Sequence, residues 1–250
     1  MQAPSILALE ELSLNAWPAL QTLHYDGWVL RFAGGYTRRA NSVNPLYKSS
    51  LPLDEKVTAC EQYYHSQGLP AIFKLTPQSQ PSELDKSLAQ CGYQLDAFTS
   101  VQTLDLQKTG FSAPQPGFSC NDALTDDWFS AFCAMSDTPE KHLAPMRQLL
   151  KLILPSHSFS LLQADGQPVA CGLCVQQDGF IGLYDIVVAK EQRRKGYGRR
   201  MMEGLLAHGQ RKGAKTSYLQ VMLNNPPALQ LYEDLGFKEV YQYWYRVKQA

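Results

Sequence analysis

The chain has 250 residues, and its 23 lysines and arginines are balanced by 23 aspartates and glutamates, a formal net charge of zero. That balance argues against a dedicated polyanion binder, so any basic feature must be local and nucleic acid is not the expected partner. The length suffices for one large or two modest hydrophobic cores. No apolar run approaches the roughly 18 residues of a membrane span, and the opening MQAPSILALEEL lacks a basic region followed by an apolar signal core. A soluble, cytoplasmic protein is expected.

The first strand-like stretch is GWVLRFAGGYTRRANSVNP, residues 27–45, which carries Arg31, Arg38, Arg39 and several aromatic residues. It reads either as a half-exposed sheet whose polar residues face water or as a surface that recognises an acceptor. IFKLTP, from Ile72, and CGYQLDAFTSVQTL, from Cys91, are further strand-like runs. In LQKTGFSAPQPGFS, residues 106–119, two prolines, two glycines and small polar residues interrupt the periodicity. A boundary is therefore placed near residue 110, giving domains 1–110 and 111–250.

In the second domain GFSCNDAL reads as a strand, and TDDWFSAFCAMS as a helix with Thr125 as its cap and acids in its first turn. APMRQLLKLIL reads as a second helix. Three strand-like runs follow, SFSLLQAD, QPVACGLCVQQ and FIGLYDIVVA, joined by Asp165-Gly166 and Asp178-Gly179, and they predict an antiparallel meander. Then come a loop, the helical run RRMMEGLLAHGQRKG with Met201, Met202, Leu205 and Leu206 on one apolar stripe, the strand TSYLQVML, the helix ALQLYEDLG and the aromatic strand KEVYQYWYRV.

Cys171 and Cys174 in CGLC have redox-motif spacing, but residues three apart on a strand point to opposite faces, so ordinary buried cysteines are expected. The other four, Cys60, Cys91, Cys120 and Cys133, are dispersed in a chain too long to need disulfide staples, and all six are expected to be reduced. No second cysteine pair or closely spaced histidine pair completes a zinc set, so no metal is expected.

The loop EQRRKGYGRR, residues 191–200, lies between a strand and a helix, where successive N–H groups and the positive helix end form a seat for a pyrophosphate. Gly196 and Gly198 let the backbone approach closely, and Arg193, Arg194, Lys195, Arg199 and Arg200 add positive potential. The dinucleotide fingerprint needs a third glycine where Met201 stands. With DIVV before it and NPPALQLYEDLGF one helix and one strand later, RRKGYG resembles the GNAT acetyltransferase superfamily, over about residues 117–248.

The resemblance implies that acetyl-CoA is the acyl donor and that its pyrophosphate is held by the loop of Arg193, Arg194, Lys195, Gly196, Tyr197, Gly198 and Arg199. It implies that Asn225 contacts the cofactor, that Tyr232 protonates the departing sulfur, and that Val187 and Val188 lie beside the acetyl group and pantetheine arm. The chemistry needs such parts: an amine attacks the thioester carbonyl, charge develops on oxygen, and a thiolate leaves. Each residue also has a plainer reading. Tyr232 can be a packing aromatic, Asn225 a turn residue before prolines, and part of the basic cluster a solvated helix start.

Many relatives place a carboxylate base on the strand before the loop. Strict alternation puts Gly182, Tyr184 and Ile186 on one face, and Leu183, Asp185 and Val187 on the other. The usual carboxylate positions coincide with Gly182 or Tyr184, which leaves Asp185 as either the base or a structural hydrogen-bonding residue.

CGYQLDAFTSVQTL resembles LGFKEVYQYWYRVK, 144 residues on, and the same offset sets NSVNPLYKSSLPLDEK against DIVVAKEQRRKGYGRR. This predicts an α/β fold of tandem GNAT-like mixed sheets with flanking helices, the C-terminal copy complete and the N-terminal copy truncated. Pro52 and Asp54 then replace Gly196 and Gly198, and Leu88 replaces Tyr232. Proline lacks an N–H and the acids repel phosphate, so the first loop should not bind CoA. The expected activity is acetyl transfer from acetyl-CoA to a primary amine of a small molecule or peptide. The alternative is a non-catalytic CoA-sensing or RNA-associated module.

Overall fold

The structure, a computed structural model, describes residues 4–111 and 115–248. Along the chain run α1 (Ile6–Ala16), β1 (Gln21–Tyr25), β2 (Trp28–Phe32), β3 (Val43–Asn44), α2 (Leu53–His65), β4 (Ala71–Leu75), α3 (Leu84–Gln90) and β5 (Gln94–Asp105). They are followed by β6 (Phe118–Asn121), α4 (Asp126–Ser136), α5 (Glu140–Lys151), β7 (Ser156–Ala164), β8 (Gln167–Gln177), β9 (Phe180–Val188), α6 (Tyr197–Arg211), β10 (Thr216–Met222), α7 (Pro226–Asp234) and β11 (Lys238–Lys248). Among the described residues no helix is long and apolar enough to cross a membrane.

The chain forms two compact units. The first takes in the described residues up to Ser100, Met222–Asn224 and the chain from Val240; the second takes in those of Val101–Val221 and Asn225–Glu239.

In the first unit the strand order is β1-β2-β3-β4-β11. β1, β2 and β3 pair antiparallel, β3 meets β4 in parallel at Val43 and Phe73, and β11 runs antiparallel to β4. Its core is aromatic: the Phe73 ring meets Trp28 edge-on at 5.7 Å and Tyr93 at 5.4 Å, and all three are buried.

In the second unit the order is β10-β9-β8-β7-β6. The meander β7-β8-β9 is antiparallel as expected, and both of its turns have positive φ at the Asp-Gly pairs, 52° and 75° at Asp165–Gly166 and 51° and 79° at Asp178–Gly179. Thr125 caps α4, accepting from Trp128 N–H at 3.2 Å. Met201, Met202, Leu205 and Leu206 are fully buried on one face of α6, each contributing about 1.5–3 kcal/mol by leaving water. The helix expected from Ala144 instead begins at Glu140 and ends at Lys151, with Pro145 inside it. Pro145 sits early enough to cost one backbone hydrogen bond without ending the helix, and Leu154 is left 94% exposed.

The repeat is visible in the elements. Leu53 opens α2 and Tyr197 opens α6, Gly92 and Gly236 share φ of 85° and 93°, and β5 and β11 begin at Gln94 and Lys238, each pair 144 residues apart. The parallel strands break the correspondence. In the first unit β3 is two residues long and pairs with β4 at Val43, just before the loop, whereas in the second unit the pairing is confined to the start of β9.

Candidate active site

The site begins where two parallel strands part. β9 and β10 pair from Phe180↔Thr216 to Leu183↔Leu219, yet β9 continues to Val188 and β10 to Met222. The last residues of β9 stay paired with β8 on their other edge, Cys171↔Val187 and Ala170↔Val188. The edge that faces away from β8 is therefore a short row of backbone groups with no strand partner, suited to the amides of an extended ligand.

A bulge sets the side chains of this row. Leu173 pairs with Tyr184 but Cys171 with Val187, so Asp185 and Ile186 together oppose Gly172, and Asp185 takes a left-handed φ of 50°. The extra residue reverses the alternation after Tyr184. Ile181 and Leu183 belong to the core under α6, and so do Ile186 and Val188. Val187 therefore does not share a face with Leu183, contrary to strict alternation. A bulge has no sequence signal here because its positive-φ residue is an aspartate and not a glycine.

Asp185 lies beside Cys171, whose thiol is pushed up to about 12 by burial first and by the Asp185 charge second. Cys171 contacts Met135 of α4 at 3.9 Å, while Cys174 belongs to the α6-side core, so the CGLC pair does point to opposite faces. The positions expected of a carboxylate base hold Gly182 and Tyr184, and Tyr184 pairs with Tyr218 of β10. The Tyr184 hydroxyl donates to the Tyr218 hydroxyl at 3.0 Å, and both rings are buried. Gly182 makes room for them: a Cβ there would stand 2.6 Å from Tyr218 Cζ and Oη. No local sequence pattern marks that pair, since Tyr218 lies on a different strand.

β9 runs through the 3-10 turn Lys190–Gln192 into the glycine loop. Arg194 and Gly196 have φ of 66° and 83°, and Gly196 is the N-cap of α6, with no side chain capping the helix. The first helical N–H groups thus point outward without a side-chain acceptor. The two glycines differ in what they allow. A Cβ on Gly196 would meet nothing within 4 Å, so the space over it is open; one on Gly198 would touch Leu231 at 3.6 Å and Val188 at 3.7 Å, ordinary contacts. The second position is less restrictive than its glycine suggests.

The basic residues divide by what they touch. Arg193 Nε donates to Val188 O at 3.3 Å and Lys195 Nζ to Gln192 at 3.0 Å, both exposed. Arg199 pairs with Asp234 at 3.2 Å, and Arg200 donates to Pro116 O at 2.7 Å. Arg193, Arg194 and Lys195 are the exposed cations of the loop, with Tyr197 partly buried at the helix start.

Asn225 is the N-cap of α7, its side chain accepting from Ala228 N–H at 3.3 Å, with prolines at the first two helical positions. Tyr232 lies in the core with Leu205 and Phe237 and is 9% exposed. Burial pushes its hydroxyl up to about 12. A cavity of about 440 Å³ borders the approach to the loop, lined by Ala131, Met135, Asp137, Pro168, Ala189 and Glu191 among others.

In the first unit the arginines have structural partners. Arg31 is buried and donates to carbonyls of Arg39 (2.5 Å) and Trp17, so it is not free to recognise an acceptor. Arg38 pairs with Asp96 at 2.7 Å, and Arg39 lies 4.4 Å over Trp17.

A parting of parallel strands that leads into a glycine loop at a helix start is the arrangement expected of an acyl-CoA transferase of the GNAT type. The profile of the family described as probable histone acetyltransferase Rv0428c C-terminal matches residues 3–246. The chain belongs to this family. It is a GNAT N-acetyltransferase, similar to the uncharacterized N-acetyltransferase YobR of Bacillus subtilis (strain 168), with 29% identity over 97% of this chain and 98% of that protein. Among solved structures, a GCN5-related N-acetyltransferase from Kribbella flavida superposes with a TM-score of 0.71 at 15% identity, covering 99% of this chain and 97% of the other. A tandem GNAT protein from the clavulanic acid biosynthesis pathway gives 0.65 at 13% identity, covering 99% and 89%. The tandem GNAT architecture follows from the repeat and agrees with that neighbour.

Proposed function

We propose that the second unit transfers an acetyl group from acetyl-CoA to a primary amine. The observation that carries the reading is the end of β9, whose edge runs past its pairing with β10 and leads into the outward N–H groups at Gly196. A pantetheine arm carries two amides, which can extend the sheet along that edge beside Val187 and Val188. Its pyrophosphate then meets the backbone of residues 194–198 and the cations of Arg193, Arg194 and Lys195, the anion-at-helix-start arrangement. Asn225 supports the reading by fixing the turn into α7, which carries Tyr232.

In the reaction the amine nitrogen bonds to the thioester carbon, the C–S bond breaks, and the nitrogen loses one proton while sulfur gains one. Tyr232 donates a hydrogen bond to sulfur, and the departing thiolate takes its proton from water. With its hydroxyl held at about 12, above the ~8.5 of an ordinary thiol, complete transfer to the thiolate is uphill. Its contribution is a hydrogen bond that strengthens as charge grows on sulfur. Asp185, at the bulge, is the carboxylate of β9, and we assign it the amine's proton. Of the carboxylates that line the cavity beside the loop, Asp137 is paired with Lys190 at 2.7 Å, which leaves Glu191 and the apolar wall of Ala131 and Met135 to meet an amine on an apolar stem. The free, reduced cysteines fit a cytoplasmic setting.

Calorimetric titration with acetyl-CoA tests the reading. It should give one site per chain, weakened about fivefold or more by Gly196→Asp and untouched by Asp54→Ala. An unchanged affinity in folded Gly196→Asp overturns the loop assignment.

A further inference from the structure

The loop before α2 holds the same place in the repeat as the glycine loop before α6: Ser50, Leu51 and Pro52 stand 144 residues before Arg194, Lys195 and Gly196. In the first unit, however, the N–H groups of the loop have an acceptor. The Asp26 carboxylate receives Ser50 N–H at 3.1 and 2.9 Å to its two oxygens, the Ser50 hydroxyl at 2.8 Å and Leu51 N–H at 2.9 Å. Lys56 of α2 adds a salt bridge to the same carboxylate at 3.1 Å and donates to the Asp26 carbonyl at 2.6 Å. Lys56 is fully buried and lies 3.9 Å over the Trp28 ring, so its charge is committed to this spot. The donors, Leu51 N–H foremost, hold the Asp26 carboxyl well below its ordinary range.

Tertiary packing delivers that carboxylate. Asp26–Gly27 is the two-residue turn between β1 and β2, with φ of 41° and 82°. Gly27 O accepts from Tyr47 N–H at 3.0 Å, and a Cβ on Gly27 would stand 2.2 Å from the Lys48 carbonyl oxygen. Only glycine lets the turn press this closely on the loop. The second unit has the same dipeptide at the first turn of its meander, Asp165–Gly166, but a Cβ on Gly166 would meet nothing within 4 Å. One Asp-Gly turn is docked on its loop, and the other stands clear.

We propose that the first loop is an anion seat permanently filled by the protein's own Asp26, a carboxylate in cis holding the place that phosphate takes at the second loop. The donors in the first unit stand on their own geometry; the comparison with phosphate rests on the function proposed above. The first unit is silent because its seat is occupied, in addition to the proline and acids that follow it.

Chemical rescue tests this. Asp26→Ala removes the occupant and leaves the Ser50, Leu51 and Lys56 donors in place, and a Gly196→Asp background keeps the second loop from contributing. The double variant should melt several degrees below Gly196→Asp alone, and millimolar inorganic phosphate should recover much of that loss, whereas chloride at matched ionic strength should not. Asp26→Asn keeps the shape, removes the charge and still fills the seat, so it should melt lower and ignore phosphate. The proposal is overturned if Asp26→Asn melts like its parent, or if folded Asp26→Ala is indifferent to phosphate. Should Asp26→Ala fold only in phosphate, the proposal is supported. Acetyl-CoA titration of the wild-type chain is read separately, so a failure of the second-unit reading leaves this result intact.

Discussion

Gly196 separates backbone strain from ligand binding, because its φ of 83° is strained for any side chain while the space above it is open. Gly196→Ala should therefore cost about 1–2 kcal/mol for a left-handed non-glycine residue, or about 2–8 °C in melting temperature for a unit of this size, and Gly196→Asp less, since aspartate tolerates this region, as at Asp165 and Asp178. Their effects on acetyl-CoA should diverge. An added carboxylate about 4 Å from a phosphate charge costs between about 1 kcal/mol at the dielectric of water and about 4 kcal/mol near a protein surface, that is, about fivefold to nearly a thousandfold in affinity. Calorimetry with acetyl-CoA, beside thermal melts of both variants, measures the two terms. Equal affinities for the two variants in folded protein would refute the placement of phosphate over Gly196.

Tyr232→Phe should lower turnover by about tenfold to a hundredfold, the worth of a hydrogen bond to a charged acceptor, with acetyl-CoA affinity little changed; steady-state kinetics and titration check it. With the Tyr232 hydroxyl at about 12 in the folded chain against about 10 unfolded, its stabilisation is complete below pH 10 and is lost as pH rises from about 10 to 12, about 2–3 kcal/mol in all. Alkaline denaturation curves of Tyr232→Phe should accordingly be flatter across that window by up to one proton. Gly182→Ala should cost about 1–3 kcal/mol by overpacking, since its methyl would lie 2.6 Å from the Tyr218 ring and hydroxyl, and a thermal melt registers the loss.

What was legible in the sequence were features with a local cause. The Asp-Gly turns, the Thr125 cap, the α6 stripe and the glycine loop each follow from backbone or packing rules that act within a few residues. The 144-residue offset was legible at the helix starts and at Gly92 and Gly236, where φ demands glycine, but it did not extend to the pairing of β3 with β4. Three features of the sites were not legible, each for a tertiary reason. The Asp185 bulge turns the end of β9 over, and strand alternation carries no mark of it. The Tyr184–Tyr218 hydroxyl pair joins residues on different strands. Arg31 looked like a surface cation, but the carbonyls it reaches come from α1 and from the turn at Arg39, which only the fold brings together.

The most direct test of the account is acetyl transfer itself. Acetyl-CoA is incubated with a panel of small amines, amino acids, aminoglycosides, polyamines and peptide N-termini, and released CoA and acetylated amine are quantified together by mass spectrometry. An amine is expected for which the two products appear in equal amounts, with transfer at sub-saturating acetyl-CoA reduced in Gly196→Asp and retained in Asp54→Ala. Acetyl-CoA bound at the loop with no amine acetylated, or transfer undiminished in folded Gly196→Asp, would contradict it.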